Sequence, residues 1–596
     1  MKKEQKTVMS EIKSLQELFV RKYVVDFYQR DYVWEKKQLE DLINDLSNAF
    51  LKSYRDDHIL EHVKQYDPYF MGEIVLSETG GKSAVIDGQQ RITTLTLLLI
   101  YLLHTYKHVP KFPQTSVENS IYSLDYGKEM FNLEIEIRKN CMIGLFKNGH
   151  YEPKEDAFYV QKIVDRYADI PECWNENINE QNIVSFTYWL LGNVVFSKVS
   201  SNSDEFAYII FETMNDRGLS LTPVEMLRSY LLANINESER DVALDKFDKT
   251  IIKLSSIKLT SKSKAESEFF KVYFRSHFAI DMTQGNDKSD FVRIGNTFHR
   301  WVRENYKLLK LKTSSDFVNF IDKIEYFAEQ YELIYRLIAE RNTLKHFYLI
   351  VNADYGFTLQ PALIIGAINY LDSEDVVLTK IETISKYLTK VLTWRVWNHW
   401  MISQSSMEAP IYDLAKQIRN TSIEELEKVL SEEPIKLPEL EGSPTLNQQN
   451  RRRLRVMLSL ITEIVARESE EPNYILNTEN IEVEHIFAND YDRHQEEFAT
   501  QEEFSNIRNS IGGLLLLPKS FNASYNDSPY EVKVEQYYSQ NILAQTLNSK
   551  KYVNNPPFLR FVDKSNLPFK YYSSFDKQSV FERNELYREI LKWNWK

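Results

Sequence analysis

Val85-Ile86-Asp87-Gly88-Gln89-Gln90-Arg91-Ile92-Thr93-Thr94-Leu95 decides how the first part of this chain folds. Ser83 to Ile86 is apolar and reads as a strand, and Asp87-Gly88 is turn chemistry. A long apolar helix follows from about Gln90, carrying Leu95, Leu97, Leu98, Leu99, Leu102 and Leu103. A polar cluster therefore falls where a strand hands over to a helix N-terminus, a place where open backbone N–H groups and the helix dipole attract anions. There Asp87 can hold a metal or a water, Gln89 and Gln90 can donate hydrogen bonds, and Arg91 can fork onto a phosphate. An ordinary strand–turn–helix junction would use the same Asp-Gly pair, so both readings stay open at this point.

Outward from that stretch, Glu73–Leu76 reads as a strand before it, joined by a hairpin turn at Glu78-Thr79-Gly80-Gly81. Three further segments stand beside it: Tyr28-Gln29-Arg30-Asp31-Tyr32-Val33-Trp34, Phe70-Met71-Gly72-Glu73-Ile74-Val75-Leu76, and Ile210-Phe211-Glu212-Thr213-Met214-Asn215-Asp216-Arg217-Gly218-Leu219. Together, and in this order, the four resemble the ParB-related N-terminal domain of GmrSD-type restriction systems, with its Asp-Gly-Gln-Gln-Arg signature. The resemblance covers about residues 10–235 and implies a nucleotide-hydrolysing or nucleic-acid-sensing module. It implies catalytic roles for Asp87 and Arg91. It also implies nucleotide or phosphate contacts from Gln29, Arg30, Tyr32, Gly88, Gln89 and Gln90, with Glu212, Asn215 and Arg217 completing or bracing the site.

The 596 residues are enough for several domains, roughly three to five by length. With two cysteines, Cys141 and Cys173, the chain has neither a disulfide framework nor a cysteine zinc site, which suits a reducing cytoplasm. The basic start, Met1-Lys2-Lys3, is not followed by an apolar core, so no signal peptide is expected. The most apolar run, Ile92 to Leu103, is too short to span a membrane and reads as a buried helix. A net charge of −13 disfavours broad non-specific DNA binding but leaves room for a local basic groove. Arg451-Arg452-Arg453-Leu454-Arg455 is the densest basic cluster and reads either as a solvated helix start or as a phosphate-contacting patch. His58 and His62 are four apart, but without a neighbouring carboxylate motif they read as a helix surface rather than as metal ligands.

The periodicity predicts an amphipathic helix over Lys36–Leu51, short elements over about 110–190, a strand over Val194–Ser200 and helices over Ser203–Phe211 and Leu221–Ala233, the last started by Thr222-Pro223. From 236 to 431 the pattern is helical throughout, with Trp394, Trp397 and Trp400 on one helix face as core. Residues 432–450, with Pro434, Pro438 and Gly442-Ser443-Pro444, are linker-like in composition. The expected fold class is α+β and multidomain: a mixed α/β domain over 1–235, an all-α middle over 236–431, a linker over 432–450 and a small C-terminal domain over 451–596.

That C-terminal part holds a second constellation: Ile481-Glu482-Val483-Glu484-His485-Ile486-Phe487, then Asn509-Ser510-Ile511-Gly512-Gly513-Leu514, then Phe521-Asn522-Ala523, then Lys533. It offers a carboxylate beside a histidine on a short strand, a Gly-Gly turn, a second apolar strand and an asparagine near a helix start. A histidine can deprotonate a water, and a carboxylate with an amide oxygen can hold a divalent ion beside it. On residue chemistry alone, a Glu-His pair could equally be a strand-edge ion pair. Residues 452–560 resemble the His-Asn-His (ββα-metal) nuclease domain. The resemblance implies His485 as general base, Glu484 and Asn522 as metal ligands, Lys533 as a DNA-phosphate contact, and Mg2+ or Mn2+ as cofactor. Two positions depart from it. The family's Gly-Asn-Leu is Gly512-Gly513-Leu514 here, which removes the asparagine that pins the histidine loop, and Asn509 stands near enough to take over. The family's proline three residues after the histidine is Ala488.

The two resemblances together imply an anti-phage, modification-dependent DNA endonuclease, expected in the cytoplasm. The N-terminal domain would sense GTP, ATP or modified DNA, and the helical middle would transmit its state. A homodimer would suit the cutting of both strands. The alternative is a nucleotide-switched DNA-binding module with an inactive nuclease fold, and a pure interaction scaffold is the third reading. Metal-dependent cutting that disappears in His485→Ala separates the first from the second, whereas a scaffold would neither hydrolyse nucleotide nor bind DNA.

Overall fold

The computed structural model describes the chain except residues 1–7, 20, 26–31, 80–81, 126–127, 135–137, 154–157, 203–206, 208–209, 211–221, 260–262, 284–285, 478–479, 526 and 554. It is mixed α/β and mostly helical, and divides into two compact units, Met1–Ala233 and Asn234–Lys596. Among the described residues no helix is long and apolar enough to cross a membrane.

The first unit is built on strands β1 (Val8–Ser14), β2 (Tyr23–Val24), β3 (Tyr69–Thr79), β4 (Lys82–Asp87), β5 (Tyr122–Asp125), β6 (Lys128–Phe131), β7 (Leu133–Glu134) and β8 (Val194–Ser201). Six of them form one sheet in the order β1-β8-β3-β4-β2-β7, and β5 pairs with β6 separately. β3 and β4 are an antiparallel hairpin, as the pattern predicts, while β3 runs parallel to β8 across more than a hundred residues of intervening chain. The helix after β4 spans Gln89–Tyr106 and is buried nearly all round, which explains its unbroken leucine content. The Lys36–Ser53 helix instead turns one face inward, with Leu39, Leu42, Ile43, Leu46, Ser47 and Phe50. The helix over Pro223–Ala233 starts as Thr222-Pro223 predicts. Of the helix expected over Ser203–Phe211, most residues lie outside the described ones.

The second unit is helical from Glu237 to Ser431. Trp394 and Trp397 are buried in the Glu374–Trp397 helix, but the expected stripe stops there. His399 takes a left-handed backbone (φ 60°), the Trp400 N–H returns to the Arg395 carbonyl, and Trp400 is exposed. The stretch with linker composition is packed. Ile435 and Leu440 are buried, the Ile435 N–H donates to the Tyr387 hydroxyl, and the Trp397 indole N–H donates to the Glu441 carbonyl. Its prolines interrupt helix without releasing the chain from the core. Beyond it, the Arg451–Glu468 helix leads to β9 (Ile481–His485), the Gln501–Arg508 helix, a turn at Ile511–Gly513, β10 (Leu514–Pro518) and the Lys519–Tyr525 helix. β9 and β10 pair antiparallel, with His485 opposite Leu514 and Glu484 opposite Leu515, and the Lys519–Tyr525 helix packs on both strands.

Candidate active site and the strand-to-helix junction

Asp87 ends β4, and Gly88 caps the following helix with φ 102°, a backbone that favours glycine. Arg91, one turn in, folds back over the junction. Its Nη1 donates to the Met71 carbonyl at 3.1 Å and its Nη2 to the Glu73 carbonyl at 2.7 Å and to Asp87 Oδ2 at 3.1 Å. Gly72 makes room for it, since a Cβ there would stand 2.4 Å from Nη1. The guanidinium fork is thus engaged within the protein and locks β3, β4 and the helix start together. Asp87 keeps about a third of its side chain exposed (34%), so it is the accessible acid at this helix N-terminus. Gln89 and Gln90 are buried, and Gln90 Oε1 accepts the Val33 N–H at 3.0 Å. Tyr32 is fully buried as well. Its hydroxyl bonds Thr94 Oγ1 at 2.8 Å, and burial pushes its pKa up to about 12.

In the second unit His485 closes β9 and stays partly exposed. Its Nε2 lies 2.9 Å from Asn509 Oδ1. Burial, then the nearby Arg508 charge, hold its pKa down at about 4, so the ring is neutral at neutral pH. Arg508 donates through Nε to the Phe487 carbonyl at 3.1 Å and so pins the segment that follows the histidine. Glu484, beside it, points into the core at 1% exposure. Its Oε1 accepts from Lys533 Nζ at 2.7 Å and from the Tyr537 hydroxyl at 3.3 Å. Lys533 is itself fully buried and also donates to the His485 carbonyl at 2.9 Å. Burial lowers the Lys533 pKa, and the Glu484 charge opposes that shift.

The Gly512-Gly513 turn is braced from the far end of the chain. Asn584 Oδ1, on the Lys577–Asn594 helix, accepts the Gly512 N–H at 2.7 Å and the Ser510 hydroxyl at 2.9 Å. Arg583 Nε donates to the Gly512 carbonyl at 3.1 Å, and the Tyr587 hydroxyl donates to the Leu514 carbonyl at 3.2 Å.

Family models for the GmrSD restriction endonuclease N-terminal domain and for the GmrSD restriction endonuclease C-terminal domain match residues 9–232 and 436–589. The chain belongs to the GmrSD restriction endonucleases. As such it is a DNA endonuclease of a defence system, and DNA is its substrate. Neither model covers the helical stretch between the two matches. No curated protein matches the chain.

In this GmrSD chain Tyr32, Lys533 and Glu484 take other positions than expected from sequence, and others of the residues singled out are not described. Gln29, Arg30, Glu212, Asn215 and Arg217 lie outside the described residues. Asn522 has its backbone in the Lys519–Tyr525 helix, and its side chain lies outside the described ones. Tyr32 is a core residue rather than a ligand contact, because its hydroxyl is spent on Thr94. Lys533 presents no ammonium to a DNA phosphate, because Glu484 and the His485 carbonyl hold it inside. By the same pairing Glu484 Oε1 is taken by an ammonium. Among the described residues no three His, Cys, Asp or Glu side chains converge as a metal site. The Asn522 side chain, which the resemblance would have share an ion with Glu484, is outside the described residues. Sequence reasoning missed Asn584 and Arg583, whose one signal was an Arg-Asn pair set between the buried Val580 and Leu586 of an amphipathic helix.

Proposed function

We propose that this chain cuts modified DNA with His485 as the general base, and that the Asp87–Arg91 junction of the first unit senses nucleotide and regulates the cutting. The observation that carries the first half is the state of His485. It is neutral, partly exposed and held by Asn509 at the edge of a two-stranded ββα arrangement. A neutral imidazole can take a proton from a water poised to attack a phosphodiester. Arg508 stands beside the ring, and its charge suits a substrate phosphate.

Support for the second half is the part-exposed Asp87 at the N-terminus of the helix that follows Gly88, the end of a helix that favours anions. Arg91 acts in this reading by holding the junction's shape rather than by gripping phosphate. A second reading, a nucleotide-switched binding module without cutting, draws on the closed Glu484–Lys533 pair, which holds that carboxylate in the core.

Cleavage of plain, cytosine-modified and phosphorothioated DNA, with Mg2+ supplied and with or without GTP or ATP, tests the proposal. Wild type and Asp87→Asn are compared. Cutting that prefers one modified DNA and loses its nucleotide response in Asp87→Asn is expected. Nucleotide hydrolysis with no cutting of any DNA would favour the second reading. Cutting indifferent to nucleotide in both proteins would remove the sensing role.

A further inference from the structure

We infer that Asn509 is a positioning residue for His485: its amide oxygen holds the Nε2–H, and this leaves Nδ1 as the nitrogen that receives the proton of the attacking water. The inference rests on the proposed role of His485 as base.

A neutral imidazole carries one N–H, and the partner of each ring nitrogen decides which one bears it. The partner of Nε2 is Asn509 Oδ1 at 2.9 Å. The orientation of that amide is settled by its other end, since Nδ2 donates to the Ser505 carbonyl at 2.8 Å. Turned over, the amide would set its oxygen against the Ser505 carbonyl and its NH2 against the ring. The oxygen therefore faces the histidine, and an oxygen with no hydrogen can only accept. Nε2 is the protonated nitrogen, and Nδ1 keeps its lone pair.

The backbone of Asn509 is fixed from two sides. Its N–H donates to the Ser505 carbonyl at 3.0 Å, and its carbonyl accepts the Leu446 N–H at 2.8 Å. Gly513 is what permits the approach. A Cβ on residue 513 would lie 2.9 Å from the Arg508 carbonyl, so an asparagine at 513 and the Arg508–Asn509 turn compete for one space. The glycine that takes the place of a loop-pinning asparagine thus admits a second asparagine, which grips the ring directly. The loop itself is secured by Asn584.

In the step this serves, Nδ1 takes one proton from water and the resulting hydroxide oxygen forms a bond to phosphorus. The bond from phosphorus to the leaving oxygen breaks, and that oxygen keeps the electron pair and regains a proton from solvent.

The test uses the full chain labelled with 15N-histidine, as wild type, Asn509→Leu and Asn509→Asp. The His485 signals are those missing from His485→Gln. Long-range proton–nitrogen correlation reads the tautomer, and cleavage kinetics on the three DNAs named above read kcat and KM. Wild type and Asn509→Asp, which retains an acceptor oxygen, should both show an unprotonated Nδ1. Asn509→Leu should lose that preference. Its kcat should fall about 10–100-fold with KM within about twofold, and Asn509→Asp should recover most of the loss. A wild-type ring protonated at Nδ1, or an Asn509→Leu protein that keeps both tautomer and kcat, would overturn the inference. If wild type cuts none of the DNAs the nuclease reading fails, while the tautomer contrast still decides the role of Asn509.

Discussion

Lys533→Met should destabilise the second unit strongly, and the size of the effect follows from what the lysine leaves behind. Glu484 is 1% exposed, and its Oε1 has the Lys533 ammonium at 2.7 Å and the Tyr537 hydroxyl at 3.3 Å. Without the ammonium, a carboxylate remains in the core with one long hydrogen bond, and the His485 carbonyl loses a donor. Breaking one partner of a buried ion pair costs about 3–5 kcal/mol, because the other charge stays buried. Replacing both partners by apolar residues of similar volume removes that penalty, so Glu484→Leu with Lys533→Met should return to within about 2 kcal/mol of wild type. A chain of two units need not unfold in one step, so a global melting curve is the wrong probe. Hydrogen exchange at the β9 and β10 amides reports the opening of this region. Loss of protection in Lys533→Met, largely restored in the double variant, is expected. Full protection in Lys533→Met, or a double variant as open as the single, would refute the pairing as the structural reason for both residues.

Two other perturbations test the surroundings. Asn584→Ala removes the acceptor for the Gly512 N–H and the Ser510 hydroxyl, both buried. The Ser510 hydroxyl keeps Ser443 Oγ as a second acceptor at 3.0 Å, so at about 1–3 kcal/mol for the Gly512 N–H left unsatisfied the change should loosen the Gly512-Gly513 turn, seen as faster exchange of the Gly512 amide than in Asn584→Asp. His277, largely enclosed in the helical part with Nε2 against the Ile365 carbonyl but keeping some surface, has its pKa lowered by desolvation from 6.5 to about 4. Between those values the unfolded chain binds a proton that the folded chain does not, so stability rises with pH there. The contribution is complete above pH 6.5 and is lost as pH falls towards 4, up to about 3 kcal/mol at 1.36 kcal/mol per pH unit. His277→Gln should therefore flatten part of the acid limb of the stability profile of the second unit, and an unchanged limb would show that the ring is not what titrates.

How far the sequence could be read depended on the range of the interactions involved. The β3–β4 hairpin and the helix after Gly88 were legible because their signals are local: alternation, a turn, then an unbroken apolar run. β1 was not, because Val8–Ser14 is largely exposed and gains its place by pairing with β8, Val8 opposite Ser201. The chemistry at His485 was legible by residue type and spacing. Its environment was not: Lys533 reaches Glu484 across 49 residues, and Asn584 reaches Gly512 across 72. Composition suggested a linker at 432–450, yet Ile435 and Leu440 bury there, since prolines stop helices without stopping apolar side chains from packing. Arg91 shows the same limit at a shorter distance. Its type suits a phosphate, but the carbonyls of Met71 and Glu73 were already there to take it.

The most direct measurement is DNA cleavage by wild type and His485→Ala under single-turnover conditions on the DNA that wild type prefers. The account predicts a fall in the cleavage rate of about 100-fold or more, with DNA binding retained, as for loss of a general base. Cleavage by His485→Ala at the wild-type rate would contradict it and place the chemistry elsewhere in the chain.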